Sequence, residues 1–217
     1  IGETRLDSTI TSFESIKYAK TDEGTSIYAD ALCADGSSMV TEFIYWSDYY
    51  NSIISPFYSY STGRTKETIR SSQVTCRDID GDGCIEIPED TSSKKQSSEI
   101  TSQNWVNYGN TVLSHKCYSF SCKRDGYILV IDDDDFSKVK ANYDSESRKL
   151  TIINKKNKSN VFEIVTLINS NYSVNDPKYK DYTMIMKNSG FVYLAKVNKS
   201  SDIDINIQTL KDMIKVY

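Results

Sequence analysis

Short apolar stretches separated by turn signals fill the first part of the chain, from residue 10 to residue 88. Stretches such as MVTEFIYW place apolar side chains at nearly every second position, a period that is typical of a half-buried β-strand. Acidic or glycine-containing segments such as TDEGTS and CADGSS lie between them, as turns do between neighbouring strands. The pattern therefore predicts a meander of antiparallel strands.

A polar stretch, EDTSSKKQSSEITSQ at residues 89–103, interrupts this pattern. It has almost no apolar side chains, which is typical of an exposed linker between domains. We therefore expect a β-meander domain over residues 1–92, a linker over residues 93–103 and a second domain over residues 104–217.

Beyond the linker, segments such as GYILVID, KLTIIN and VFEIVTLI predict further strands, which we expect to form a twisted antiparallel sheet. The spacing changes at the end of the chain, where Ile205, Leu210, Met213 and Ile214 recur at roughly helical intervals behind Asp204 as N-cap. This spacing predicts a helix over residues 205–216. The expected fold class is mainly β with a C-terminal α+β unit.

Composition and charge exclude several kinds of partner. The 217 residues carry a formal net charge of −4, and the Lys and Arg residues form no basic block, so a nucleic-acid surface is not expected. No apolar run approaches the roughly 20 residues that a transmembrane helix needs. The first ten residues lack the features of a signal peptide, so we expect any export signal to have been removed or never to have existed.

The five cysteines leave two possibilities open. The spacings of Cys76 to Cys84 and of Cys117 to Cys122 would suit two local disulfide bridges, with Cys33 left over. Equally, all five could be small buried side chains. The sequence contains no C-x-x-C motif, so thioredoxin chemistry and zinc ribbons are not expected.

The clearest chemical motif is CRDIDGDGCIEIPED, at residues 76–90. Its aspartates alternate and are followed by a glycine, which matches the EF-hand calcium loop, in which side chains converge on one ion. Carboxylates this close would repel one another without a cation. Calcium is favoured because all the ligands are oxygen, whereas magnesium would require stricter octahedral geometry and fewer protein groups. The predicted ligands are the side chains of Asp78, Asp80 and Asp82, the backbone carbonyl of Cys84, and a carboxylate from Glu86 or Glu89.

The flanks of this loop do not favour the helices of an EF-hand. SSQVTC before it and CIEIP after it are β-like, so we predict a strand-loop-strand site. In that setting Glu86, on the strand face opposite Ile85 and Ile87, is favoured over Glu89 as the last ligand. A site without a helix pair to open predicts a structural calcium rather than a sensor. Residues 18–31 repeat the order of strand, acidic turn and strand, with most ligands missing.

The segment DIDGDGCIEIP resembles the calcium loop of FG-GAP repeats, which are VCBS-like and of the integrin-propeller type. The resemblance covers Asp78, Asp80, Asp82, Cys84 through its carbonyl, and Glu86, where the family usually has Asp. It implies calcium held in a loop that joins two strands.

The order of the motifs MVTEFIYW, DIDGDGCIEIP, NWVNY, DGYILVID and KVKANYDSESRKLTI resembles that of an uncharacterised exported, lipoprotein-like family of low-GC Gram-positive bacteria. This resemblance implies a location outside the cytoplasm, at the bacterial cell surface. Tethering would be through an N-terminal lipid anchor that has been removed from this chain. Calcium is abundant there and would fill even a weak site.

Aromatic residues are concentrated in segment 43–60, FIYWSDYYNSIISPFYSY. Exposed aromatic side chains could stack on sugar rings or anchor a protein partner, whereas alternate ones could fill the core of the sheet. The candidate ligand patch consists of Tyr45, Trp46, Tyr49, Tyr50 and Tyr58.

No catalytic motif is recognised. His115, the only histidine, lacks the context of a nucleophile, and the consecutive aspartates of IDDDDF (residues 131–136) would point to opposite faces of a strand. The expected function is therefore a non-catalytic, calcium-binding module that binds or scaffolds an unknown protein or a cell-wall glycan. The alternatives are a glycan-acting hydrolase with paired carboxylates, and a carbohydrate-binding module using segment 43–60.

Overall fold

The computed structural model describes residues 2–21, 24–91, 99–173, 176–198 and 203–217. Its strands and α-helices, in chain order, are β1 (Ile10–Thr21), β2 (Gly24–Cys33), β3 (Met39–Ser47), β4 (Ser52–Ile54), β5 (Tyr58–Ser59), β6 (Arg64–Thr65), β7 (Ile87–Asp90), β8 (Ile100–Gly109), β9 (Val112–Cys122), β10 (Tyr127–Ile131), α1 (Asp133–Phe136), β11 (Val139–Asp144), β12 (Lys149–Asn154), β13 (Asn160–Ile168), β14 (Thr183–Lys187), β15 (Phe191–Val197), α2 (Ile207–Met213) and β16 (Ile214–Val216).

The described strand pairs are antiparallel, which confirms the predicted fold class. The strands form sheets with the orders β1-β2-β3-β4, β16-β10-β9-β8-β7 and β11-β12-β13-β15-β14, and a small pair β5-β6. In the described ranges, no helix has the length and apolar character needed to cross a membrane.

The chain divides into two compact units. The first unit comprises Ile1–Ser93 and Gln103–Cys117, and the second comprises Lys94–Ser102 and Tyr118–Tyr217. The predicted linker over residues 93–103 falls partly outside the described residues, which exclude 92–98. Its last part is not a linker, because strand β8 already begins at Ile100.

The first unit is built on the sheet β1-β2-β3-β4. One face of this sheet carries the aromatic core, in which Phe43 lies between Tyr28 and Tyr108 with ring centroids 4.9 and 4.6 Å away. Strand β7 adds Ile87 to the same core. The acidic turn of the predicted first repeat, residues 22–23, lies outside the described residues.

The segment 71–76 that precedes the aspartate loop is not the strand predicted from SSQVTC. Its backbone groups bond to buried side chains instead of a neighbouring strand. The N–H of Cys76 donates to Asp30 Oδ2 at 2.9 Å, and Arg70 Nε donates to the Val74 carbonyl at 2.7 Å. Because Asp30 on β2 and Arg70 are themselves paired at 2.8 Å, this segment is fixed by a buried ion pair.

The second unit contains the sheet β11-β12-β13-β15-β14 together with β10, β16 and α2. Its core includes Leu129, Phe162, Tyr193 and Leu210, all at most slightly exposed. Ile164 on β13 and Tyr193 on β15 belong to this core, and Val165 and Leu194, on the opposite face of the same strands, are buried as well.

The terminal helix is shorter than predicted. Helix α2 ends at Met213 instead of residue 216, and Asn206 rather than Asp204 caps it by accepting the Thr209 N–H at 3.0 Å. The last residues form β16, in which Ile214 and Val216 pair with β10. β-branched side chains favour a strand, and this pairing satisfies backbone groups that the helix would leave open at its end.

Candidate metal centre

The aspartate loop curls so that its own side chains accept backbone hydrogen bonds. Asp78 accepts the N–H groups of Gly81 at 2.6 Å and of Gly83 at 3.0 Å. Both glycines have φ near +87°, a left-handed conformation that other residues rarely adopt. The base of the loop is closed by a pair of backbone bonds between Arg77 and Glu86 at 3.2 and 2.9 Å. The sequence therefore forms a tight loop between these two residues.

Three carboxylates converge within this loop. One carboxylate oxygen from each of Asp78, Asp80 and Glu86 lies within 4.8 Å of the other two. Asp78 and Asp80 are exposed, whereas Glu86 is buried at the base of the loop. The structure thus places Glu86, rather than Glu89, with the aspartates.

Glu86 is the most constrained of these carboxylates, with a relative exposure of 0%. Its Oε2 accepts the Ile79 N–H at 3.0 Å, whereas its Oε1 has no hydrogen-bond partner among the described residues. Burial, together with the charges of Asp80, Asp82 and Asp78, raises the pKa of Glu86 to about 7. The loop therefore holds a buried carboxylate whose ionised form lacks a positive partner at its free oxygen.

Asp82 lies outside this group of three. Its Oδ1 accepts the Cys84 N–H at 2.8 Å, and its Oδ2 accepts the Lys116 ammonium of β9 at 2.7 Å. The hydrogen bond from Lys116 is the main reason that the pKa of Asp82 is lowered. The same ammonium lies 3.5 Å from Asp80 Oδ2. Sequence reasoning missed Lys116, because it is 34 residues away from Asp82.

Glu89 belongs to a different set of contacts. It lies on β7, where its Oε2 accepts the side-chain amide of Asn104 on β8 at 2.9 Å. The amide oxygen of Asn104 contacts Nδ1 of His115 on β9. Glu89 and His115 therefore take part in side-chain contacts across neighbouring strands, outside the three converging carboxylates.

The predicted aromatic patch is divided by the sheet. Tyr45 is only 8% exposed and belongs to the aromatic core. Trp46, the next residue on β3, points to the opposite face and is 42% exposed, and Tyr49 is 89% exposed in the following turn, against the ring of Tyr50. Tyr58 is partly buried on β5. Only part of the patch is therefore available to a ligand.

A second set of exposed apolar residues shares the face of Trp46. The register pairs Tyr18 with Ile27, and Ile27 with Ile44, which lies two residues before Trp46 on β3. Ile16 alternates with Tyr18 on β1 and so shares this face, and the irregular pairing between Phe13 and Ser15 brings Phe13 to it as well. We define the exposed sheet face as Phe13, Ile16, Tyr18, Ile27 and Trp46, each at least 40% exposed.

The other candidates from the sequence form no comparable site. Asp133–Phe136 forms the short helix α1, and Asp135 pairs with Lys138 at 3.0 Å.

Neither suggested disulfide bridge is present among the described residues, because Cys76, Cys84 and Cys122 are free thiols.

A cavity of about 480 Å³ lies in the second unit. Its described lining residues are Ser137, Lys138, Asn154, Lys155 and Lys156, and none of them is a carboxylate. Its described lining residues therefore include no paired acidic groups.

The fold and the loop together define an antiparallel β-protein of two units, one of which presents a cluster of oxygen ligands on a tightly turned loop. Such a cluster can bind a hard cation. No family model and no curated protein matches this sequence, and no solved structure matches the fold. The family resemblances drawn from the motifs therefore stay predictions.

Proposed function

We propose that the first unit binds one divalent cation, calcium, in the loop from Asp78 to Glu86. The observation that carries this proposal is the buried Glu86 carboxylate, whose Oε1 has no hydrogen-bond partner among the described residues and which converges with Asp78 and Asp80. A buried carboxylate oxygen without a partner is costly, and a cation would remove that cost. Calcium is favoured because it accepts irregular sets of oxygen ligands, whereas magnesium requires near-octahedral geometry.

The proposed role of the ion is structural. Ile79, inside the loop, is 1% exposed and is hydrogen-bonded through its backbone to Glu86, so one side of the loop is already anchored. The chain continues from Glu86 directly into β7, which is paired with β8. An ion held between an anchored loop and a paired strand stabilises that arrangement and has no helix pair to open.

Isothermal titration calorimetry tests the binding directly. We expect wild-type protein to bind one calcium ion per chain and Asp80→Ala to weaken binding by roughly a hundredfold, because a side-chain ligand is lost. Asp181→Ala removes an exposed carboxylate of the second unit, 3.6 Å from Lys196, and should match the wild type. Absence of binding by the wild type, or equal binding by Asp80→Ala, would refute the proposed site.

In the cell, we propose a non-catalytic module at the bacterial cell surface. Millimolar extracellular calcium would fill even a weak loop, and the motif order resembles that of exported proteins. The free thiols of Cys76, Cys84 and Cys122 give this location no support, because exported proteins more often pair their cysteines. Proteolysis of intact cells, followed by immunodetection, tests the location; protection of the protein until lysis would contradict it.

A second candidate function is binding of a cell-wall glycan by the exposed sheet face. Large apolar side chains are exposed together on strands β1, β2 and β3, and Tyr49 and Tyr50 follow in the adjacent turn. Aromatic rings supply broad contact area at low entropic cost and dominate many binding surfaces.

We expect Trp46→Ala to weaken binding to purified cell-wall glycan by roughly tenfold, since aromatic anchors contribute most to such surfaces. A pull-down with quantified supernatants measures the change. Tyr217→Ala, at a 48% exposed tyrosine of the second unit, serves as the matched control. Equal retention of both variants would exclude Trp46 from the binding surface.

A further inference from the structure

A positively charged side chain of the protein itself already lies next to the aspartate loop. Lys116, on β9, places its ammonium 2.7 Å from Asp82 Oδ2 and 3.5 Å from Asp80 Oδ2. The Lys116 side chain is 28% exposed, so most of it is buried. The ammonium therefore bridges two of the aspartates that the sequence predicted as calcium ligands.

We infer that Lys116 competes with calcium for Asp80 and Asp82 and thereby sets the calcium affinity of the loop. This inference rests on the proposed calcium site and goes beyond it, because it assigns the control of affinity to a strand residue outside the loop.

Charge and distance support the competition. Asp80 converges with Asp78 and Glu86, and it also lies next to the Lys116 ammonium. A calcium ion bound by Asp80 would therefore lie within a few ångströms of a positive charge, and the two would repel each other strongly at that distance. To bind calcium fully, the loop has to release Lys116 from Asp80, and a calcium ion that also takes Asp82 has to break the 2.7 Å bond.

The pairing of Lys116 has a second consequence for the ion-free protein. The Lys116 ammonium forms an ion pair with Asp82 at 2.7 Å and lies 3.5 Å from Asp80. The ammonium thus offsets part of the repulsion among the aspartates when no calcium is bound. The loop would keep its shape without the ion and would fill only where calcium is abundant.

Calorimetric titration of Lys116→Met with calcium chloride tests this inference. Methionine keeps a long unbranched side chain and removes the charge, so we expect the calcium Kd to fall by roughly tenfold or more. Lys116→Arg keeps the charge and should stay within a few-fold of the wild type.

The outcomes separate the two proposals. If wild-type protein binds calcium and Lys116→Met has an equal or higher Kd, the inference about Lys116 is wrong and the calcium site stands. If neither protein binds calcium, the proposed function itself fails. If Lys116→Met binds calcium and the wild type does not, the proposed function of the natural chain fails, whereas the inference that Lys116 competes with calcium is supported. Far-UV circular dichroism of each variant establishes that the compared proteins are folded.

Discussion

Calcium is expected to raise the midpoint of thermal unfolding by roughly 5–10 °C at pH 8, relative to protein in excess chelator, and by much less at pH 5. An ion present at a hundredfold excess over its Kd stabilises the folded state by about 2.7 kcal/mol if it binds only that state. At pH 5 protons compete for the same carboxylates, so the stabilisation shrinks. Differential scanning calorimetry at both pH values measures the shift.

The pH dependence follows from Glu86. In the calcium-free protein its folded-state pKa is raised to about 7 from an ordinary value of 4.5. Between these values the folded protein retains a proton that the unfolded chain releases, so this group's contribution to stability falls as pH rises from about 4.5 to about 7. Calcium binds the ionised carboxylate and removes that penalty, which is why its effect should grow over the same range.

The variant Glu86→Gln isolates the contribution of Glu86 ionisation to the stability of the protein. The amide cannot ionise, so the variant in chelator should be at least as stable as the wild type at pH 8, and it should lose most of the calcium-dependent shift. Glu89→Gln is the matched control, because Glu89 contacts Asn104 instead of the aspartates. A full calcium shift in Glu86→Gln together with a lost shift in Glu89→Gln would instead support the EF-hand assignment of the ligands.

The fold class was predictable because strand periodicity is a local property of the sequence. MVTEFIYW became β3, with Phe43 and Tyr45 facing the core and Trp46 on the other face. The same local reasoning failed at the end of the chain, where Ile214 and Val216 are drawn into β16 by pairing with β10. That pairing is a long-range contact, and it cannot be predicted from the spacing of apolar residues within the segment.

Of the candidate metal site, only the residues within the loop could be predicted from the sequence. The alternation of Asp78 and Asp80 indicated ligands, and the β-like residues after the loop favoured Glu86 over Glu89. The contact with Lys116 was not predictable, because pairing of strands distant in sequence creates it. The exposed sheet face was missed for another reason. Irregular pairing of β1 places Phe13 and Ile16 on one face although they are three positions apart, so the sequence between them does not follow the period of two.

Asp30→Ala is expected to destabilise the first unit by about 3–5 kcal/mol, the range found when one partner of a buried ion pair is removed. Asp30 and Arg70 are both fully buried and 2.8 Å apart. Asp30 also accepts the N–H of Cys76, two residues before the calcium loop. The substitution therefore leaves a buried guanidinium without its carboxylate and releases the segment that leads into the loop.

Urea unfolding followed by tryptophan fluorescence measures this change, because both tryptophans, Trp46 and Trp105, belong to the first unit. The double variant Asp30→Ala/Arg70→Met provides the decisive comparison. It should be less destabilised than Asp30→Ala alone, since no unpaired charge remains buried. If the double variant is instead destabilised by the sum of the single effects, the two residues act independently. The loop would then be fixed by the hydrogen bond of Asp30 to Cys76 rather than by the ion pair.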